Sequence, residues 1–212
     1  MYLSNPKRVH LVLDYLIRNP ANIVRYVRDC YFGKSPLDNS LPWWSYEAID
    51  WVKKHIKPQG KIFEWGSGGS TVFLSKYCQQ LTSVENNEEW LEKTKKKLES
   101  KKINNVNLVK KTLNLTNEQQ FRECDYFKAL SENFNFIVID GEDAFGPDLK
   151  WSSRETCFER AEDWINSQGF ILVDDSWRYP KICKTTKANK VVRFQSIGPC
   201  RKGVTTTDLH CY

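Results

Sequence analysis

No run of apolar residues in this sequence approaches the length of a membrane span, and no signal peptide stands at its start. A cytoplasmic chain without a membrane span is the expectation. No two cysteines form a C-x-x-C pair, and the seven (Cys30, Cys78, Cys124, Cys157, Cys183, Cys200 and Cys211) are odd in number. These absences argue against a disulfide frame and against a zinc site, and leave the cysteines as reduced thiols. Repeats and low-complexity tracts are missing too, which removes solenoids and linkers from consideration.

What remains is a chain of 212 residues with 40% apolar and 13% aromatic content. That is enough for one α/β core with an appended segment, and too apolar for a disordered chain. The net charge of +6 favours acidic partners without specifying nucleic acid.

The rest is organised around residues 61–71. Ile62 and Phe63 read as the end of a buried strand, and Glu64 as a carboxylate where it stops. Gly66, Gly68 and Gly69 permit a tight turn and close approach of backbone to a ligand. Ser67 lies within that turn, and Ser70 and Thr71 open a helix whose free N–H groups suit a ligand's polar end. Leu81 to Val84 reads as a second strand ending in Glu85, with Asn86 after it. A carboxylate about 20 residues beyond the glycines is where nucleotide-type folds hold a ribose diol. A dinucleotide's pyrophosphate would meet the charge of Glu64 beside the loop. An acid there suits a cationic amino group, which favours S-adenosylmethionine, a ligand with an amine, a sulfonium and a ribose but no phosphate.

The run Glu64-Trp65-Gly66-Ser67-Gly68-Gly69-Ser70-Thr71 resembles the acid-x-Gly-x-Gly motif of the class I S-adenosylmethionine-dependent methyltransferases. The order of elements extends the likeness over residues 42–212. It implies cofactor contacts from Glu64, Gly66, Ser67, Gly68, Gly69, Ser70, Thr71, Glu85, Asn86 and Asp140. Phe134 to Ile139 reads as a buried fourth strand ended by Asp140, and Phe170 to Val173 as a fifth ended by Asp174 and Asp175. Lys190 to Ile197 and Val204 to Tyr212 alternate as an antiparallel pair around a turn at 198–203. Alternating strands and helices followed by a hairpin predict a mostly parallel sheet with one reversed strand. The resemblance implies an α/β fold: a Rossmann-like seven-stranded mixed sheet of order 3-2-1-4-5-7-6, flanked by helices. The loop after the third strand, Lys110 to Asn114, lacks the acid that many such proteins carry there.

Residues 1–41 read as a helical arm outside the methyltransferase-like domain at 42–212. Two short helices are predicted on either side of Asn19-Pro20, with Arg8, Arg18, Arg25 and Arg28 among their apolar positions, and 33–42 reads as a loop. The arm is expected to pack on the domain or on a second copy, giving a homodimer. A lid or a contact for an acidic substrate or a membrane is the other reading. Trp43, Trp44 and Tyr46, around a helix start at Ser45, read mainly as core, although in the resembled family this segment borders the mouth of the active site. The lysines from Lys93 to Lys102 read as a solvated helix face. A helix over 152–165, ended by Gly169, carries Arg154 at a spacing that turns it toward the site.

In the implied strand order the fourth and fifth strands are neighbours about 5 Å apart. Asp140, Asp174 and Asp175 therefore converge beside the methyl donor. Carboxylates this close repel unless a cation or a shared proton intervenes. Oxygen ligands suit magnesium or calcium, and the arrangement resembles metal-dependent O-methyltransferases of the catechol and macrolide-sugar types. Two readings stand. In one, Asp140, Asp174 and Asp175 hold Mg2+, which lowers the pKa of an acceptor hydroxyl. In the other, Asp140 alone is base or orienter, and Asp174 or Asp175 caps a helix. Asp140, Asp174 and Arg154 are the expected catalytic residues, with Arg154 and Arg178 offsetting the acids or gripping an anion. The implied reaction is O-methylation of a small-molecule or sugar hydroxyl. RNA methylation is an alternative motivated by the charge and the tryptophans, but the Asp/Asn-Pro-Pro-aromatic signature of base N-methylation is missing. A non-catalytic binding module is a third, and its expected mark, a degraded glycine loop, is not seen.

Overall fold

Burial with a period of two in the strands builds the core. In β1 (Lys61–Trp65), Ile62 and Glu64 share one face and Phe63 and Trp65 the other, and none of the four is more than 1% exposed. A strand buried on both faces belongs to the interior of a parallel sheet. The computed structural model describes residues 6–32, 35–144 and 150–212, with side chains from Val9 onward. The reading of Gly33, and that of the Arg8 side chain, lies outside what is described.

Six further strands join β1: β2 (Gln80–Glu85), β3 (Val106–Lys110), β4 (Phe134–Ile139), β5 (Ile165–Asp174), β6 (Lys190–Ile197) and β7 (Val204–Cys211). They form one seven-stranded sheet of order β3-β2-β1-β4-β5-β7-β6, the order implied by the resemblance. The pairs among β1 to β5 are parallel. β7 runs antiparallel to both β5 and β6. The helices are α1 (Pro6–Arg18), α2 (Ala21–Val27), α3 (Pro36–Asn39), α4 (Tyr46–His55), α5 (Gly69–Leu74), α6 (Glu88–Ser100), α7 (Glu118–Glu123), α8 (Asp125–Lys128), α9 (Ser153–Trp164) and α10 (Ile182–Thr185). Their starts follow from capping side chains: Ser45 accepts from the Ala48 amide, Asn87 from Trp90 and Ser152 from Glu155. No helix among the described residues is long and apolar enough to cross a membrane.

The sheet divides two apolar clusters. Ile62, Val138, Leu172 and Leu209 bury one face against Ile49, Val52 and Phe73. Phe63, Ile137, Ile171 and Val173 bury the other against Phe121, Phe127 and Phe158. Val12 of α1 and Tyr26 of α2 belong to the first cluster, so the arm packs on the sheet-flanking layer.

Two local expectations are corrected. Residues 33–42 are not wholly loop: the Ser35 side chain accepts from the Asp38 amide, Pro36 opens α3, and a proline at the first helical position gives up no needed donor. The helix expected over 152–165 forms as α9, but Gly169 does not end it and lies inside β5. The helix stops at Trp164, because Ile165 already pairs with Phe134, and a register shift separates that pair from Phe136 and Phe170.

Register sets the location of the site. Trp65 stands opposite Val84 and Ile139, and Ile139 opposite Val173. The carboxyl ends of β1, β2, β4 and β5 thus line up at one edge. Chain order turns back between β1 and β4, where open α/β sheets bind their ligands.

Candidate active site

A cavity of about 340 Å³ opens at that edge. Of the residues singled out by sequence, Gly66, Ser67, Gly68, Gly69, Ser70, Glu85, Asn86, Asp140, Arg154 and Asp175 are on its wall. Glu64, Thr71 and Asp174 are not among its lining residues.

The glycine loop is as tight as its composition suggests. Gly66 has φ +90, and a Cβ there would lie 2.7 Å from the Gly141 Cα. A Cβ on Gly69 would lie 2.2 Å from the Leu41 carbonyl oxygen and 2.5 Å from that of Pro36. Side chains at either position would collide with backbone rather than with a yielding rotamer. The loop is fixed from below. The Thr71 hydroxyl accepts from the Gly68 amide at 2.8 Å and donates to Glu64 Oε2 at 2.6 Å, and Ser83 donates to the same oxygen at 2.7 Å. Glu64 therefore stands behind the loop, on the strand face it shares with Ile62. Its Oε2 orders the turn, while its buried Oε1 has no hydrogen-bond partner among the described residues.

Burial raises the Glu64 carboxyl to about 7, against the pull of the Ser70, Thr71 and Ser83 hydroxyls. The folded protein thus binds this proton more tightly than the unfolded chain. The resulting stability is present in full below the ordinary carboxylate range and is lost as pH rises through about 7. The expected size is about 3 kcal/mol, from the shift to about 7. The melting temperature of the wild type should fall between about pH 5 and about pH 8, and Glu64→Gln should flatten that fall. Equal pH slopes in the two proteins would remove Glu64 from this account.

Glu85 is fixed by four donors at the end of β2. Ser67 gives its amide and its hydroxyl to Oε2, each at 3.0 Å, and the Asn86 and Asn87 amides reach Oε1 at 2.9 Å. Asn86 Nδ2 donates to Glu142 Oε2 at 2.8 Å, which ties the loops after β2 and β4. Trp90 donates its indole N–H to the Ser67 carbonyl and stands under Gly68, where a Cβ would meet Trp90 Nε1 at 3.1 Å.

On the far side, Asp140 accepts from Trp44 Nε1 at 3.2 Å. Arg154 lies 3.3 Å from Asp140 Oδ1 and donates to the carbonyls of Gly141 at 2.9 Å, Asp174 at 3.0 Å and Asp140 at 3.2 Å. One guanidinium thereby joins the ends of β4 and β5. Asp174 ends β5 and Asp175 follows it in the left-handed region at φ +52. The Thr205–Thr207 run of β7 supports them: Thr207 donates to Asp174 Oδ1 at 3.0 Å, Thr205 to Asp175 Oδ1 at 2.9 Å, and Thr206 accepts from Ser176 Oγ at 2.9 Å. Burial raises the Asp140 and Asp174 carboxyls, and the guanidinium groups of Arg154 and Arg201 pull both back down. Burial also acts on Asp175, but Arg201, Thr205 and Arg178 outweigh it and hold that carboxyl below its usual range.

These residues do not fit the expected Mg2+ ion. Among the described residues no group of three or more His, Cys, Asp or Glu is placed to hold a metal. The Asp174 and Asp175 oxygens that would ligate it are engaged by threonine hydroxyls and by Arg201, whose nitrogens lie 3.2 Å from Asp174 Oδ2 and 2.6 Å from Asp175 Oδ1.

Sequence reasoning missed several wall residues: Pro36, Leu41, Asn87, Trp90 and Glu142. The Ser35-Pro36 start of α3 was a usable signal for the first two. Trp43 is 51% exposed and lines the cavity, while Trp44 and Tyr46 are fully buried.

No family model and no curated protein matches the chain in sequence. Solved structures do match it in shape. A candidate O-methyltransferase from Klebsiella pneumoniae aligns with a TM-score of 0.62 at 13% identity, over 95% of this chain and 99% of that one. The O-methyltransferase from Bacillus cereus, in complex with SAH, gives 0.57 at 19% identity, over 89% and 96%. An rRNA methylase from Streptococcus thermophilus gives 0.55 at 12% identity, over 78% and 95%. With the strand order, the glycine loop and the acid after β2 in place, the chain has the fold of the class I S-adenosylmethionine-dependent methyltransferases.

Proposed function

We propose that this protein transfers a methyl group from S-adenosylmethionine to a hydroxyl of an uncharged small molecule or sugar, without a metal ion. The observation that carries this reading is that one cavity joins the glycine loop and Glu85 to a wall of Asp140, Glu142 and Asp175. Gly66, Gly68, Gly69, Glu85 and Asn86 would hold the nucleoside of the donor. The bound donor supplies a methyl group on a cationic sulfur. Asp140 stands on the acceptor side of the loop, where its carboxylate accepts the proton of an incoming hydroxyl. Burial raises this carboxyl and so makes it a better base than a solvated aspartate. Trp44 and Arg154 fix its orientation, which favours an aligned approach of hydroxyl and methyl.

The wall also selects the acceptor. Pro36, Leu41, Pro42 and the half-exposed Trp43 give the same cavity an apolar share of its wall beside the acids. An aromatic ring suits the apolar face of a sugar or a second ring, and carboxylates suit hydroxyl donors. An RNA backbone would bring phosphates to Asp140, Glu142 and Asp175, with Arg154 as the one cation among the described wall residues and already engaged by carbonyls. The test is transfer from methyl-labelled S-adenosylmethionine to a panel of phenols and free sugars beside total RNA. Label in the uncharged fraction is expected, and label confined to RNA would overturn the acceptor assignment.

A further inference from the structure

Asp174 and Asp175 put two carboxylates almost wholly out of water, at 1% and 9% exposure, next to a third at Asp140. Buried charge of one sign is strongly unfavourable unless it is paired. Arg178 lies 3.5 Å from Asp175 Oδ2, and the partner shared by both aspartates comes from the turn between β6 and β7. Arg201 Nη1 reaches Asp175 Oδ1 at 2.6 Å and Thr205 Oγ1 at 3.1 Å, and Nη2 reaches Asp174 Oδ2 at 3.2 Å. A planar guanidinium suits this task, since its separate nitrogens can serve two successive carboxylates at once.

The turn that delivers Arg201 is itself held in place. A Cβ on Gly198 would lie 2.2 Å from the Trp44 carbonyl oxygen, so that end of the turn sits directly on the segment before α4. Cys30 Sγ lies 3.7 Å from the carbonyls of Gly198 and of Arg201. Cys200 is in the left-handed region at φ +56, and its Sγ reaches the Asp29 carbonyl at 3.3 Å. Arg201 is therefore a fixed part of the acid cluster, and its side chain is 23% exposed.

We propose that Arg201 is the resident counter-ion of Asp174 and Asp175, taking the electrostatic place that a divalent cation holds in other acid-rich sites, and that removing its charge lets the cluster recruit such a cation. Arg201 is a positioning residue on this view: it touches no reacting atom and acts by holding the two aspartates beside Asp140. The proposal stands apart from the methyl-transfer reading, because it rests on the charge balance of the cluster alone.

The experiment is a Mn2+ titration of the full chain followed by electron paramagnetic resonance, with the wild type, Arg201→Gln, Arg201→Lys and the double variant Arg201→Gln/Asp174→Asn. Arg201→Gln should bind one Mn2+ at least about tenfold more tightly than the wild type. Arg201→Lys, which keeps the charge, should behave as the wild type, and the double variant should lose the gain. Equal Mn2+ affinity in the wild type and a folded Arg201→Gln would overturn the proposal. If Arg201→Gln does not fold alone, millimolar Mn2+ should restore its melting transition, and failure to do so would also overturn it. Titration of the same wild-type preparation with SAH separates the two ideas: absence of SAH binding beside the Mn2+ result would count against methyl transfer and leave Arg201 untouched.

Discussion

Gly66→Val should abolish donor binding and cost the fold several kcal/mol. The backbone at Gly66 has φ +90, a region that a β-branched side chain avoids. The added Cβ would lie 2.7 Å from the Gly141 Cα, 2.8 Å from its amide nitrogen and 2.9 Å from the Asp140 carbonyl carbon. All three atoms are backbone at the end of β4, so the loop after β1 would have to move. The conformational strain is about 1–3 kcal/mol, and overpacking adds about 1–3 kcal/mol. Gly203→Ala is the control, since a Cβ there meets nothing within 4 Å. It should stay within about 0.5 kcal/mol of the wild type. Urea melts give the stability and SAH calorimetry the affinity. A Gly66→Val protein that binds SAH like the wild type would refute the cradle.

Asp140→Asn should lower turnover by about 10²–10⁴ while leaving the fold and SAH affinity close to wild type. The amide keeps the shape of the side chain and an oxygen for the Trp44 indole. Arg154 loses one carboxylate but keeps the carbonyls of Asp140, Gly141 and Asp174, so no buried guanidinium is orphaned. What disappears is the group that takes the hydroxyl's proton. In the wild type the acidic limb of turnover against pH should lie above the ordinary aspartate range, because burial favours the protonated form of Asp140. Turnover of Asp140→Asn within tenfold of wild type would remove Asp140 as the base.

Much of this architecture is legible in the sequence where one element decides its own conformation. Phe134 to Ile139 is apolar at every position but the exposed Asn135 and forms β4. The alternation from Lys190 and again from Val204 marks the two hairpin strands, since period-two patterning is local. The glycine loop is legible because Gly66 and Gly69 leave no room for a Cβ, and composition records that directly.

The parts that sequence does not show depend on distant partners. Glu64 reads as a ligand contact because it adjoins the glycines. That its Oε2 takes the hydroxyls of Thr71 and Ser83 is a relation that only the folded sheet creates. Arg201 sits in a Gly-Pro-Cys-Arg-Lys-Gly turn that carries no sign of a buried target. It meets Asp174 and Asp175 because β7 pairs with β5, bringing Thr207 opposite Asp174. The expected metal site fails for the same reason: the three acids are visible in the chain, as are Arg154 beside Asp140 and Arg178 beside Asp175, and the Arg201 that answers Asp174 and Asp175 together is not. Trp90 reads as an ordinary apolar stripe residue of α6, and its reach to the Ser67 carbonyl follows from how α6 packs beside α5.

The central claim is that the turn after β1, backed by Glu64 and faced by Glu85, receives an adenosine-bearing sulfonium donor. Isothermal titration of the wild-type chain with S-adenosylmethionine and with SAH tests it most directly. The account predicts one equivalent of either bound, a rise in melting temperature at saturation, and no competition from NAD. Absence of binding by both, or a preference for the pyrophosphate-bearing dinucleotide, would contradict it.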